Sequence, residues 1–430
     1  MSLKISVPNI QFENFVDILP TVSFDFGSGN LKNSGVGNKI KELSFSRSSS
    51  AYRTNEQGLL EPVAQNTPRF EYDPITLKPK GLLVEGSSQN ELLYSEDYQN
   101  SAWQKNNLSI GDSVLAPDGT LTAKKLLSSA TASRIARFSQ SGASIASGRF
   151  VTASAYFKKS DFSTVTLQVS GAFTDGFIKY NFDTGNIDVV GAGVYHYTIE
   201  DAPNGFKRLS VTVKAGSTGN AVFDIILSNS AGALYYEADG TKGTYVWGCQ
   251  LEVDKPFSTS YIKTISSKAT RSADIVLGVS EQNIGVNSCG LYAEYFTKHK
   301  SSEFLEFLAH LGESNNARLA FGFKNGPIAS SRTLSTVEIL ESSMQDDVKK
   351  LNKALVFQDS TKLAISVNGG LNTRQVSNYP SNLKSLRIGA QIGSGAYPDV
   401  GDFFGIVKNV SIYELSLDDE LIRNKTLSDN

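Results

Sequence analysis

The sequence predicts an all-β protein in which two β-sandwich domains follow an extended N-terminal arm, and three observations lead to this prediction. Apolar and polar residues alternate with a period of two through several short segments, which is typical of half-buried strands. Gly, Asn and Asp turns separate these segments, and nothing between them has the pattern of a crossover helix. The composition, with 36 Gly and 24 Phe beside two Met, favours strands and turns over helices.

Length and charge exclude several classes of protein. The 430 residues allow two or three compact units, and with 40% hydrophobic residues each can form a core. The 41 basic and 43 acidic side chains give a net charge of -2, which supplies no positive field for nucleic acid. Two cysteines, Cys249 and Cys289, exclude a disulfide framework and a CxxC metal pair. No stretch approaches the roughly 18 apolar residues of a membrane span, and we expect neither membrane insertion nor a signal peptide.

The elements are predicted in chain order as follows. Residues 1–21 form an irregular arm, and residues 22–90 contain prolines that exclude a long helix. Alternation becomes clear over 151–157. In the later strand that contains Trp247, the same alternation puts Trp247 on the same buried face as Cys249. Three further strands have their apolar positions at Val165, Leu167 and Val169, at Leu209, Val211 and Val213, and at Phe223, Ile225 and Leu227.

The last third begins after a drop in apolar density. This drop predicts a linker over 266–280 between the two sandwiches. Strands resume around 363–367 and 409–412, before and after a glycine-rich stretch. Ser416 and Asp419 have the spacing of a capping box, which predicts a short helix at the end of the chain.

Short sequence blocks occur in a fixed order between residues 22 and 275. They include Phe45–Tyr52, Pro68–Pro74, Gly81–Glu85, Tyr245–Glu252 and Thr259–Ile262. As a set, these blocks resemble a recurring module of bacteriophage tail and virion-surface proteins. The resemblance implies a virion protein in which residues 22–90 pack on the sandwiches and residues 91–265 form a jelly roll like that of carbohydrate-binding modules.

Residues 281–430 show a second resemblance, carried by three strand-like blocks. These are Leu363–Gly369, Leu386–Gly389 and Gly405–Tyr413. They are similar to strands of concanavalin A-like and laminin-G-like sandwiches. Such domains in phage fibres bind glycans or serve as structural modules, and the resemblance does not choose between these roles.

Sugar binding requires flat aromatic surfaces beside short polar groups. Tyr195, His196 and Tyr197 form a cluster in which at least one ring faces outward in either register. Tyr397 and Asp399 lie in a glycine-rich loop of the kind that surrounds a concanavalin-like sandwich. These five residues are the predicted carbohydrate-binding residues, and their interpretation as ordinary loop and strand-edge residues stays open at this point.

A structural calcium ion is the one cofactor that the sequence raises. In the carbohydrate-binding modules that the chain resembles, an acidic residue after an Asn-Leu-Leu strand helps bind calcium. The matching place here holds Tyr98 and Gln99, which departs from that pattern, although carboxylates lie nearby. The candidate calcium ligands are Glu96, Asp97, Asp399 and Asp402.

Motifs of catalysis are missing from the sequence, and we predict that the protein is not an enzyme. It contains no HExxH, GxSxG, P-loop or dinucleotide-binding glycine motif. A glycosidase needs only two carboxylates, for which Glu294, Glu303 and Glu306 are the candidates. They do not follow the alternating acidic pattern of glucanases.

The leading hypothesis is a structural virion protein of a bacteriophage, in a tail fibre, tail tip or capsid-surface fibre. Its arm would attach to other virion proteins, and its sandwiches would bind host surface polysaccharide through many weak contacts. The resemblance implies a homo-oligomer, with a trimer favoured, made in the host cytoplasm and carried on the virion. Two alternatives are a capsid decoration or tail adaptor protein that does not bind the host, and a polysaccharide depolymerase.

Overall fold

A computed structural model describes residues 18–132, 134–174, 176–229, 231–297, 305–314, 317–324, 326–333, 336–344, 350–381, 383–389 and 400–427. The protein is almost all β, with 53% of residues in strands and 3% in helix, so the predicted fold class is confirmed. Residues 1–17 of the predicted arm lie outside the described residues. Among the described residues, every helix is too short or too polar to cross a membrane.

The strands and the helix are numbered in chain order. The N-terminal strands are β1 (Val22–Asp25), β2 (Ser44–Ser46), β3 (Ala51–Thr54), β4 (Leu60–Val63), β5 (Phe70–Tyr72), β6 (Pro79–Val84) and β7 (Ser88–Asn90). The middle strands are β8 (Gln104–Asn106), β9 (Leu108–Val114), β10 (Ala123–Ser128), β11 (Ala136–Ile145), β12 (Phe150–Lys158), β13 (Thr164–Gly171), β14 (Phe177–Asn181), β15 (Asn186–Val190), β16 (Val194–Ala202), β17 (Phe206–Lys214), β18 (Gly219–Leu227) and β19 (Gly243–Val253). The C-terminal elements are β20 (Ala269–Arg271), β21 (Ile275–Val279), β22 (Ser288–Thr297), β23 (Leu305–Ser314), β24 (Ala317–Phe323), β25 (Pro327–Arg332), β26 (Val337–Glu341), β27 (Asn352–Asp359), β28 (Lys362–Val367), β29 (Gly370–Gln375), β30 (Ser385–Ile388), β31 (Val400–Asp402), β32 (Gly405–Tyr413) and the helix α1 (Asp419–Lys425). Two single 3₁₀ turns, Phe26–Ser28 and Pro203–Gly205, follow β1 and β16.

The C-terminal sandwich contains strands from both ends of the chain. One of its sheets runs β29-β28-β27-β22-β32-β6-β5, with β1 also paired to β32. The other runs β2-β21-β30-β23-β24-β25-β26, with β31 parallel to β23. The segment 22–90, predicted to pack on the sandwiches, therefore supplies strands to the sheets of the C-terminal sandwich. Val22 and Phe24 of β1 are fully buried in the shared core.

The jelly roll is inserted into this sandwich. Its described residues form two six-stranded sheets, β16-β17-β12-β19-β10-β9 and β15-β14-β13-β18-β11-β8. They enclose a separate core in which Trp103 stacks on Phe138 with 4.5 Å between ring centroids. The chain enters and leaves at neighbouring points, because β7 pairs with β20 and Asn90 lies opposite Ala269.

The predicted linker over 266–280 differs from the structure, which has strands β20 and β21 there. The serine-rich sequence lowered the apolar density, but two charged residues of this segment, Arg271 and Asp274, are buried. Their charges are balanced by other buried residues, so a segment of low hydropathy still lies inside the protein.

Helix α1 confirms the helix predicted at the end of the chain. Its N-cap is Asp418, whose side chain accepts a hydrogen bond of 2.8 Å from the backbone N–H of Leu421. The predicted capping box began at Ser416, so the cap lies two residues later. Ile422 buries the apolar side of the helix against β27 and β28.

A bulge in β19 corrects the prediction for Trp247. The register between β12 and β19 shifts so that β19 carries one additional residue, and Gly248 has a φ of 61°. Cys249 belongs to the jelly-roll core, whereas Trp247 packs on the opposite face with Tyr156 and Tyr261. Alternation fails here because the additional residue in β19 moves the side chains on one side of the bulge to the opposite face of the sheet from the one that a regular strand would give them.

Replacing Gly248 by alanine is expected to lower the free energy of unfolding by about 2–3 kcal/mol. The left-handed backbone disfavours any Cβ, and this Cβ would lie 3.0 Å from Tyr156 Cδ2 and 3.2 Å from Tyr261 Cε2. Urea unfolding measures the loss. Gly185→Ala is the control, since Gly185 has a φ of 72° and no atom within 4 Å of its Cβ position. Equal losses in the two variants would show that the aromatic contact contributes nothing.

Candidate functional site

A groove of about 1080 Å³ lies between the jelly roll and the C-terminal sandwich. One side is strand β16, the edge of its jelly-roll sheet. The other side comes from β5, the turn after it, β6, β22 and β32, which belong to one sheet of the sandwich. The groove therefore exists only because the chain builds both domains side by side.

The jelly-roll side of the groove carries Tyr195, His196 and Tyr197, which we call the tyrosine wall. A bulge makes Tyr195 the additional residue between Val194 and His196. Tyr195 is 44% exposed and Tyr197 is 41% exposed, as the sequence predicts for at least one of these rings. The strand edge therefore presents two aromatic rings to the groove.

The ring of Tyr195 is supported from behind. It contacts the ring of Phe150 with a centroid distance of 4.7 Å, and Phe150 is almost fully buried. The ammonium of Lys214 lies 5.0 Å from the centroid of the Phe150 ring. These contacts restrict the orientations of Tyr195, so less conformational freedom is lost when a ligand binds.

The sandwich side of the groove carries Lys78, Lys80, Phe296 and Lys408, which we call the lysine wall. Lys80 Nζ lies 5.1 Å from the centroid of the Phe296 ring. Lys408 Nζ lies 3.6 Å from Glu294 Oε2. This wall combines one aromatic ring with three ammonium groups.

A cluster of aromatic side chains lies at the jelly-roll end of the groove. Trp247 and Tyr261 have ring centroids 4.7 Å apart, and Tyr52 and Tyr156 contact them edge-on. Burial raises the pKa of Tyr156 to about 12. This cluster holds the end of the groove rigid and keeps its hydroxyl groups protonated.

A network of buried charges joins the two domains beside the groove. Arg69 donates to Glu85 at 2.9 Å and to Asp274, and Arg47 donates to Asp274 at 3.1 Å. Glu85 also accepts from the Ser260 hydroxyl at 2.6 Å. Burial alone would lower the pKa of Arg69, but the charges of Asp274 and Glu85 raise it above its usual value. Arg69 therefore stays charged inside the protein.

The sequence did not reveal that these residues meet. Arg69, Glu85 and Ser260 each occur in a recognised sequence block, but the blocks lie far apart in the chain. Arginine and carboxylate residues are rarely buried, so each would ordinarily be placed on the surface. Only the pairing of distant strands identifies them as one network.

Of the candidate calcium ligands, Glu96 already has a cationic partner. It accepts from Lys263 Nζ at 2.7 Å and from Tyr261 Oη at 2.9 Å, and Asp97 is exposed. Asp402 lies in β31, far along the chain, and Asp399 is outside the described residues. In the part of the chain that the structure describes, no three His, Cys, Asp or Glu side chains are grouped to hold a metal ion. The lysine at Glu96 does not fit a calcium site there.

The remaining candidates fall in different places. Tyr397 and Glu303 lie outside the described residues, as Asp399 does. Glu294 belongs to β22 and Glu306 to β23, which are in different sheets. The structure thus brings Tyr195, His196 and Tyr197 together in the groove and assigns no shared site to the two described carboxylates.

Comparisons with known proteins give likeness of fold only. No protein-family model and no curated protein matches the chain. One solved structure that matches is the CBM40 of a Ruminococcus gnavus IT-sialidase bound to alpha2,3-sialyllactose, which is 16% identical to this chain. The match covers 33% of this chain and 84% of the CBM40 chain, with a TM-score of 0.27. A putative carbohydrate binding protein from Bacteroides ovatus is 11% identical, with coverage of 66% and 82% and a TM-score of 0.28. Domains LG4-5 of the mouse laminin alpha1 chain are 10% identical, with coverage of 79% and 92% and a TM-score of 0.26.

Proposed function

We propose that this protein binds glycans without cleaving them and that the groove between the tyrosine wall and the lysine wall receives a saccharide chain. The observation that carries this proposal is the pair of exposed rings, Tyr195 and Tyr197, on an edge strand that lines the groove. The apolar faces of sugar rings pack on such aromatic surfaces. His196 and Thr198 of the same strand also line the groove.

Binding in this groove would need little rearrangement. Phe150 supports the ring of Tyr195, and the charge network fixes the two domains that form the walls. Because the walls are already ordered, most of the contact energy would be retained on binding. A single groove would still bind weakly, as few of its contacts exclude water fully.

The ordered sequence blocks support a location on a bacteriophage virion, in a tail fibre, tail tip or capsid-surface fibre. There the arm at residues 1–21 would dock to other virion proteins, and the groove would bind host surface polysaccharide. Several copies on one particle, as in a trimeric fibre, would convert weak binding into strong attachment. A candidate structural calcium ion has no role in this proposal.

Replacing both Tyr195 and Tyr197 by alanine is expected to weaken glycan binding by about 2 kcal/mol, or roughly 30-fold in Kd. The change removes the two exposed rings and leaves the rest of the groove in place. A glycan array identifies the ligand, and calorimetry with that ligand measures the loss. Tyr235→Ala is the matched control, because Tyr235 is 61% exposed and does not line the groove.

Two outcomes would contradict the proposal. Absence of binding to every host envelope fraction would leave a decoration or adaptor role on the particle. Shortening of host polysaccharide chains during incubation with the protein would instead identify a depolymerase, and size-exclusion chromatography of the polysaccharide measures it.

A further inference from the structure

We infer that the saccharide bound in the groove is anionic and that its acidic group is bound by Lys80 and Lys408 of the lysine wall. This inference rests on the proposed function of the groove. It concerns the class of glycan, which the exposed tyrosine rings do not determine, because neutral and acidic sugars present similar apolar faces.

The carboxylates along the groove already have partners. Glu71 accepts from the backbone N–H of Thr54 at 3.1 Å, and Asp201 forms an ion pair with Lys207. Glu200 lies opposite Arg208 in the register of β16 and β17, and the charge of Glu200 is one of those that raise the pKa of Arg208. None of these carboxylates is left to neutralise the lysine wall.

Asp73 is a groove carboxylate whose pKa responds to the charge of Lys80. It accepts from the backbone N–H groups of Ile75 at 3.0 Å and Thr76 at 2.8 Å. Burial alone would raise the pKa of Asp73, but these hydrogen bonds and the charge of Lys80 lower it. Asp73 thus holds the turn before β6 and forms no ion pair with Lys80.

Lys80 faces the groove with its charge unpaired among the described residues, and its ammonium lies over the Phe296 ring. Lys78, in the turn between β5 and β6, is exposed. Lys408 is held loosely, since its one carboxylate contact among the residues that the structure describes is 3.6 Å long and Glu294 also accepts from Tyr292 Oη at 2.7 Å. Lys80 is therefore available to bind an anionic group, and Lys408 on the neighbouring strand can do so by exchanging its long contact with Glu294.

The tyrosine wall provides the remaining contacts with the saccharide. A sugar ring on Tyr195 or Tyr197 would leave its substituents directed to the opposite wall, where the lysines lie. An exposed ion pair changes affinity by up to about fivefold, so two lysines together give a measurable preference. The preference should decrease with added salt, because these charges are accessible to solvent.

The test compares acidic oligosaccharides, sialylated or containing uronic acids, with their carboxyl-reduced forms, so that only the charge differs. We expect the full-length protein to bind the acidic form at least about fivefold more tightly at low salt. The variant K80Q/K408Q should lose this preference and bind the reduced form as before, whereas K80R/K408R should retain it. K242Q/K324Q, with the same charge change at exposed lysines outside the groove, is the control.

The possible failures are distinguishable. Equal binding of acidic and reduced forms, or a preference that survives in K80Q/K408Q, would overturn the anionic specificity and leave glycan binding intact. Binding of neither form in any pair would overturn the proposed function, and the specificity with it. Thermal unfolding of each variant confirms that the protein remains folded.

Discussion

Arg69→Met is expected to lower the free energy of unfolding by about 3–5 kcal/mol, the largest loss we expect from a single substitution in this protein. The side chains of Arg69, Glu85 and Asp274 are fully buried. Removing the guanidinium leaves two carboxylates in the interior without their principal counterion. Methionine fills a similar volume, so the loss reports charge rather than a cavity.

Urea unfolding of the full chain measures this effect, followed by far-UV circular dichroism and tryptophan fluorescence. Arg149→Met is the matched control, because it breaks an ion pair whose side chains are 57% and 43% exposed. That variant should change the free energy of unfolding by less than about 1 kcal/mol. Similar losses in both variants would contradict a special role for the buried network.

The position of the network explains why a large loss is expected. Arg69 precedes β5 and Glu85 follows β6 in the N-terminal segment. Ser260 follows the last jelly-roll strand, and Asp274 precedes β21. The network therefore connects the segments that enter and leave the inserted domain. Weakening it should also loosen the groove, so Arg69→Met should reduce glycan affinity even under conditions where the protein remains folded.

Alternation predicted the long strands of this fold because their signal is local. In β12 and β17, alternate residues such as Ala153, Leu209 and Val211 point into the jelly-roll core, and each strand has nine residues in which the pattern can be seen. Strands β1, β2 and β5 have three or four residues each, too few for a period to be visible. The partners of β1 and β2 lie hundreds of residues away, and no local pattern encodes that pairing.

The candidate site shows the same limit. The sequence predicted an exposed ring in the tyrosine wall, because Tyr195, His196 and Tyr197 are consecutive and at least one of them faces outward in either register. The lysine wall was not predicted, since Lys80, Phe296 and Lys408 approach one another only when β6, β22 and β32 join one sheet. A site built between domains cannot be read from either domain alone.

The second large effect concerns the domain boundaries. A fragment of residues 266–430, the predicted linker and C-terminal sandwich, is expected to be unfolded or insoluble. It lacks β1 and β6, which pair with the edge of β32 that β22 leaves open, as Val22 with Ile412 and Val84 with Gly405. Without them, strand β32 loses part of its hydrogen bonding and its apolar residues face water.

The matched comparison keeps the N-terminal strands and removes the jelly roll. In this variant, residues 91–265 are replaced by a short Gly-Ser linker, which is sufficient because Asn90 and Ala269 are paired in β7 and β20. We expect this chain to be soluble and to unfold in one cooperative transition, and the fragment 91–265, which has its own core around Trp103, to fold separately. Calorimetry and amide NMR spectra distinguish the three chains. If the fragment 266–430 alone unfolded cooperatively at the same temperature as the variant with the Gly-Ser linker, the N-terminal strands would not be needed to complete the sandwich.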